Sequence, residues 1–250
     1  MFAMIDLHSH ILPDLDDGAE SIEESLEMLR MAAAAGTTDI AATPHANEQY
    51  VFDPALVERK LTELRQAADA SPRIYYGCEM YLTPENVSRA LRSPGAYTIA
   101  HRGYLLLELS DFQIPRNAAD IFGQLMGAGM RPVIVHPERN PLLQTQYDQL
   151  REWIKQGCVL QITAQSFLGR FGKSANASAN ELVNRGLAHL VASDGHHTRH
   201  RPPVLDEARR YVEDNFATAT AQRLFVENPI CILEGKPVRH APKKKTWWRR

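Results

Sequence analysis

Met4-Ile5-Asp6-Leu7-His8-Ser9-His10 is a short apolar run that stops at two histidines, and the way it stops decides the fold. The same ending recurs along the chain. Apolar runs are expected as strands near 3–8, 39–43, 74–79, 104–109, 132–136, 159–163 and 188–193, with longer helical patterns between them. That alternation is the mark of βα units and a parallel sheet. Six of the seven runs carry or lead into a metal-type side chain: His8 and His10, His45, Glu79, Glu108, His136, and Asp194 with His196. In parallel α/β barrels the carboxyl ends of the strands gather on one face, where active sites sit. The expected fold is therefore an α/β barrel with those side chains at its mouth.

Helical patterns begin near Ser21, Pro54, Pro115, Tyr147 and Ser178. Ser21-Ile22-Glu23-Glu24 reads as a capping box, and Gly36 closes the helix that follows. The segment 84–100 reads as a short helix and a loop. A length of 250 residues suits one barrel domain, expected over 1–240, with 241–250 as a tail.

Composition narrows the function. With 44% hydrophobic and 23% charged residues the chain is a folded one, and a formal charge of −2 gives no basic body for nucleic acid. No apolar run is long enough to span a bilayer, and the first residues do not resemble a secretion signal, so a cytoplasmic location is expected. Cys78, Cys158 and Cys231 are odd in number and far apart, which favours neither disulfides nor thiolate zinc. Pro84, Ala164 and Pro237 stand six residues after them, where a cysteine-based phosphatase would have Arg.

The chemistry lies in mixed imidazole and carboxylate ligation. Two residues apart in extended chain, His8 and His10 point the same way and can grip one ion. Alone, such a pair is more often incidental than not, and a lone His45 more often structural. Asp16-Asp17-Gly18 adds carboxylates in the next loop, with a solvated lead-in to the helix as the plain alternative. Glu79 and Glu108 are more telling, because an unpaired carboxylate in an apolar strand is costly to bury unless an arginine or a cation answers it. Such a donor set suits manganese, iron or zinc, and sequence does not choose among them.

In order along the chain, Ile5-Asp6-Leu7-His8-Ser9-His10, Asp16-Asp17-Gly18, Thr43-Pro44-His45, Gly77-Cys78-Glu79 and Ala192-Ser193-Asp194-Gly195-His196 resemble the motifs of the polymerase and histidinol phosphatase (PHP) superfamily. Asp16-Asp17-Gly18-Ala19 leading into Glu23-Glu24-Ser25, His136-Pro137-Glu138-Arg139, Arg201-Pro202-Pro203 and Val226-Glu227-Asn228-Pro229 add a closer likeness to its bacterial protein-tyrosine phosphatases of capsule and exopolysaccharide biosynthesis. The resemblance covers 4–235. Cys78 and Gly195 depart from it, standing where Gln and Ala are more usual.

The resemblance implies a distorted seven-stranded, TIM-like barrel of the PHP type and a metal-dependent phosphomonoester hydrolase. His8, His10 and Asp194 would hold one ion, bridged by Glu79 to a neighbour, while Asp17, His45, Glu108, His136 and His196 complete a cluster of up to three, with manganese favoured. Asp17 matches the ligand position better than Asp16. Arg139 and Arg201 would clamp the phosphate, though either also reads as a surface residue or ion-pair partner. His196, His197 and His200 are the candidates for a general acid, which a phenolate leaving group with a pKa near ~10 hardly needs. The implied substrate is the phosphotyrosine-containing tail of a membrane-associated tyrosine kinase. A histidinol-phosphatase-like enzyme for small molecules and a non-catalytic regulator are the alternatives. The tail Pro242-Lys243-Lys244-Lys245-Thr246-Trp247-Trp248-Arg249-Arg250 combines cations with interfacial aromatics and could touch an anionic membrane, or remain solvated.

Overall fold

The computed structural model describes residues 3–242. The chain opens with β1 (Met4–Ser9), α1 (Ile22–Ala34), β2 (Thr37–Ala42), β3 (His45–Ala46), α2 (Pro54–Ala67), β4 (Arg73–Tyr76), β5 (Glu79–Tyr81) and α3 (Pro84–Arg92). It continues through β6 (Tyr104–Glu108), α4 (Ala118–Gly127), β7 (Arg131–Val135), α5 (Tyr147–Gln156), β8 (Val159–Thr163), α6 (Ala164–Phe167), α7 (Gly172–Asn184) and β9 (Leu190–Ala192). The last elements are α8 (Asp206–Asn215), α9 (Thr218–Gln222), a π-helical turn at Arg223–Glu227, and α10 (Asn228–Leu233). Of the basic tail, 243–250 lie outside the described residues.

Every strand pairing is parallel, in two sheets ordered β1-β2-β4 and β3-β5-β6-β7-β8-β9. The expected α/β fold with parallel strands is present, with nine strands among the described residues where seven were expected. One expected strand is broken in two and another is followed by a short strand not expected. The run 39–43 ends with β2, and β3 follows it beyond Pro44, which has no N–H to give a ladder. The run 74–79 becomes β4 and β5, with Gly77 and Cys78 between them. A Cβ on Gly77 would stand 2.7 Å from Thr43 Cγ2, so the two breaks lie side by side and the backbones approach where only glycine fits. Glu79 N–H then donates to Pro44 O at 3.1 Å, starting the second sheet.

The far ends of the sheets also meet. Ser9 and Gly195 form an isolated parallel bridge, Asp194 N–H donates to His8 O at 2.9 Å, and His10 N–H donates to Gly195 O at 2.7 Å. A Cβ at Gly195 would lie 2.7 Å from Pro203 Cα, so the departure noted there admits the Arg201-Pro202-Pro203 segment against β1 and β9.

Period-two alternation sorts the strand residues into two apolar clusters. Leu105, Leu107, Ile134, Leu160 and Ile162 pack with Phe122, Leu125, Leu150, Trp153 and Leu182 from the helices. Leu106, Val133, Val135, Val159 and Leu190 form a smaller cluster with Ile99 and Ile232. Each such side chain contributes roughly 1.5–3 kcal/mol by leaving water. By parity Glu108 shares a face with Leu106, and Gln161 with Val159, so these polar residues extend the smaller cluster's face toward the strand ends.

Helix starts follow local chemistry unevenly. Ser21 caps α1 by accepting from Glu24 N–H at 3.2 Å, but the Glu24 carboxylate turns back to Glu20 N–H at 3.0 Å instead of to Ser21, a box displaced by one residue. Asp53 caps α2, accepting from Ala55 N–H at 2.9 Å. The helix expected near Pro115 begins at Ala118. The one expected near Ser178 begins at Gly172, because Asn176 Nδ2 pins its first turn by donating to Ser166 O and Phe167 O at 3.1 and 2.7 Å. The segment 84–100 holds α3 and two 3-10 turns.

Candidate metal centre

Strand ends build the centre. His8 follows from β1, His45 from β3, Glu79 from β5 and Glu108 from β6, while His136 and Asp194 stand one and two residues past β7 and β9. His136 (φ 36°) and Asp194 (φ 53°) occupy left-handed backbone unusual for side chains of their size, which turns them out of the strand direction.

The nine expected ligands converge. Ligand atoms of His10, Asp17, His45 and His196 all lie within 4.8 Å of one another, as do those of His8, His10 and Asp194, and those of His45, Glu79 and Glu108. His136 joins the third group through Nε2, 3.1 Å from Glu79 Oε1 and 3.9 Å from Glu108 Oε1. Both arginines converge too. Arg139 and Arg201 each reach Asp194 Oδ2, the latter at 2.5 Å. His197 Nδ1 is 3.9 Å from Glu24, and His200 is exposed.

The residues around the ligands fix their orientation. Asp16 accepts from His10 Nδ1 at 2.7 Å and from the His45 and Gly18 N–H groups at 3.0 Å, so it faces away from the ligand atoms. Asp17 instead lies 3.3 Å from His45 Nε2 and 3.4 Å from His196 Nε2. Gln161 Oε1 lies 2.7 Å from His8 Nδ1. Amide and carboxylate oxygens only accept, so Nδ1 of His8 and of His10 carries a proton whether the ring is neutral or charged, and the two Nε2 atoms, 3.3 Å apart, are the nitrogens left for an ion. Such outer partners set the tautomer of ligating histidines in metal sites. Sequence reading missed Gln161, although a buried amide in the apolar run Val159-Leu160-Gln161-Ile162 carried the same signal as Glu79 and Glu108. It also missed buried Glu138, which accepts from Thr163 N–H and Ser166 Oγ at 3.0 and 2.7 Å beside Arg139, and buried Asp6, which accepts from Ser193 N–H at 2.9 Å.

Electrostatics separate the two glutamates. Burial raises a carboxyl, but at Glu79 the charges of His8 and His45 outweigh it and hold the group well below the ordinary range. Glu108 is raised to about 7, by burial and then by the charge of Glu79. Asp194, though buried, is held well down by His8 and Arg139. Burial raises the Cys78 thiol well above its usual range and Cys158 to about 12, so neither offers a thiolate nucleophile.

The donor set fits divalent metal. Three imidazole nitrogens, from His45, His8 and His10, lie 2.9, 3.2 and 3.3 Å from Glu79 Oε2, yet that buried oxygen and His45 Nδ1 make no aligned hydrogen bond. Groups crowded this closely around a carboxylate oxygen need positive charge among them, and a divalent ion would supply it while engaging the unpartnered Glu79 Oε2 and His45 Nδ1. Beside the ligands opens a cavity of about 530 Å³ lined by Asp17, His45, Tyr50, Tyr81 and Glu108. Another cavity, of about 580 Å³ between α3 and α4, shares no residue with the centre.

Parallel strands that deliver overlapping histidine and carboxylate groups to one mouth define the class: an α/β protein with a centre suited to divalent metal. The particular family follows from its relatives. The family model for capsular polysaccharide synthesis, CpsB/CapC, matches residues 4–234, and the chain belongs to that family. Tyrosine-protein phosphatase YwqE of Bacillus subtilis (strain 168) is 34% identical over 243 residues, covering 96% of this chain and 95% of the relative. Tyrosine-protein phosphatase CpsB of Streptococcus pneumoniae is 32% identical over 243 residues, covering 92% and 98%. A solved structure from work on YwqE and CpsB, described as unique metal-dependent tyrosine phosphatases, superimposes with a TM-score of 0.89 at 34% identity, covering 96% of this chain and 98% of that one. Among the described residues no helix is long and apolar enough to cross a membrane.

Proposed function

We propose that this chain is a metal-dependent protein-tyrosine phosphatase that removes phosphate from the tail of a bacterial tyrosine kinase and so regulates capsule or exopolysaccharide synthesis. The observation that carries the proposal is the convergence of three ligand groups and two arginines at one open mouth. Family membership and the relatives' names support it.

In this reading residues 1–240 are the catalytic unit. The ion-holding sets are His8, His10 and Asp194; His10, Asp17, His45 and His196; and His45, Glu79, Glu108 and His136, for up to three ions, with manganese favoured. Bound divalent ions would supply positive charge for the phosphoryl oxygens and acidify a water near neutral pH. Arg139 and Arg201 orient the phosphate, their forks matching its oxygens. Gln161 and Asp16 hold His8 and His10 in the tautomer that ligates. His196 is lowered to about 4, by burial and then by the charge of His10, which suits a neutral ligand better than a general acid. A phenolate leaves without a dedicated acid, so the chain need not provide one. The open mouth admits a protein tail, which favours phosphotyrosine over an enclosed metabolite. Closure into a distorted seven-stranded barrel belongs to the same reading, supported by the Ser9–Gly195 bridge between the two sheets. So does a cytoplasmic setting; for the basic tail, a solvated segment and contact with an anionic membrane both stay open.

Hydrolysis of a tyrosine-phosphorylated peptide and of histidinol phosphate by manganese-reconstituted protein tests the substrate, with His136→Ala as control. Faster, His136-dependent turnover of the peptide is expected; preference for histidinol phosphate would move the chain to small-molecule chemistry, and no turnover of either would make it a regulator.

A further inference from the structure

Phe171 belongs to no ligand group, yet it stands against both mouth arginines. The Arg139 guanidinium carbon lies over its ring, 4.2 Å from the centroid, and that of Arg201 lies 5.8 Å from the same centroid. Phe171 occupies the turn between α6 and α7, bracketed by Gly169 (φ 74°) and Gly172 (φ 88°), whose left-handed backbone turns the chain sharply on each side of it. The two guanidiniums share one acceptor, Asp194 Oδ2. Cations drawn to one oxygen repel each other, and each keeps only about a quarter of its side-chain surface exposed. An aromatic face attracts both at once. Arg201 Nε is buried without a hydrogen-bond partner, so the fork is held by charge and by the ring, with a donor left over.

We propose that Phe171 is a positioning residue: its ring holds Arg139 and Arg201 as a preformed pair and thereby sets the affinity of the mouth for a phosphate group. This rests on the phosphatase reading above. A leucine of similar bulk would keep the apolar packing and lose the attraction. The ring acts on the arginines, not on the substrate, so its effect extends to an anion with no aromatic part.

The test compares the wild-type chain, Phe171→Leu and Phe171→Tyr in manganese-reconstituted form, reading KM and kcat for a phosphotyrosine peptide and Ki for inorganic phosphate. From the strength of such contacts, Phe171→Leu is expected to raise KM and Ki together by roughly three- to tenfold, with kcat within about twofold and Phe171→Tyr close to wild type. In an Arg139→Gln background the effect of Phe171→Leu is expected to shrink to about twofold or less. A raised KM with unchanged Ki would overturn the proposal, since the ring would then be touching the substrate's own ring. Equal loss in the Tyr and Leu variants, or the full Leu effect persisting in Arg139→Gln, would overturn it by making the residue a packing element alone. Wild-type protein that hydrolyses nothing but still binds phosphate would sink the phosphatase reading and leave the Ki comparison standing as the test of Phe171.

Discussion

At the scale of single residues, the centre depends on which nitrogen of each histidine is free. Gln161 accepts at His8 Nδ1 and Asp16 at His10 Nδ1, so both Nε2 atoms are left for the ion. Gln161→Leu removes the first of these partners without touching a ligand, and metal affinity is expected to fall roughly 10- to 100-fold. Titration with manganese followed by calorimetry checks it; unchanged affinity would mean that His8 needs no outer partner. Asp16→Asn, which keeps an acceptor but loses the charge, should weaken binding less than Asp17→Ala, which removes a ligand atom of the proposed set. Equal effects would reverse the assignment of the two aspartates. Most of the proposed ligands were legible in the sequence because each lies in or just past an apolar run, where a polar side chain needs a reason; Asp17, in the loop before α1, was singled out by the resemblance alone. Phe171 was not legible, because its partners come from distant loops and nothing in Gly169-Arg170-Phe171-Gly172 announces them.

Elements were read unevenly, for physical reasons. Strand existence follows from apolar runs, and Pro44 marks one break locally, but the break at Gly77 reflects a close approach to Thr43 that no local pattern encodes. The start of α7 at Gly172 rests on Asn176 reaching back to Ser166 and Phe167, a tertiary contact. The helices α8 to α10, the last among the described residues, carry too mixed a pattern to stand out: α8 is Asp-Glu-Ala-Arg-Arg-Tyr-Val-Glu-Asp-Asn and buries Ala208, Arg209 and Val212. Where local chemistry did suffice, it makes a prediction. Ser21→Ala removes the α1 cap and should cost about 1 kcal/mol in urea denaturation. Beside β9, buried His189 accepts from Leu160 N–H at 3.2 Å and is lowered to about 3, by burial and then by the charge of His240. The fold holds this imidazole neutral, while the unfolded chain takes up a proton below about pH 6.5. Its contribution is therefore intact above pH 6.5 and is lost as pH falls toward 3, at up to about 1.4 kcal/mol per pH unit. His189→Asn should flatten the stability profile between pH 6 and 4 relative to wild type; parallel profiles would show that His189 does not set the slope.

For the whole molecule, two parallel sheets meet at both seams, Thr43 beside Gly77 and Ser9 beside Gly195, and both seams border the metal centre. The fold class and the mouth were legible from strand endings. How the ladder divides was not, because register and closure depend on contacts across the molecule. The central claim is that the converging histidines and carboxylates hold ions on which phosphate ester hydrolysis depends. The most direct measurement is metal content per chain, followed through chelation and manganese add-back alongside turnover of a phosphotyrosine peptide. The account predicts two to three ions per chain, loss of turnover on chelation and its return with manganese; a fully stripped chain that hydrolyses the peptide at the undiminished rate would contradict it.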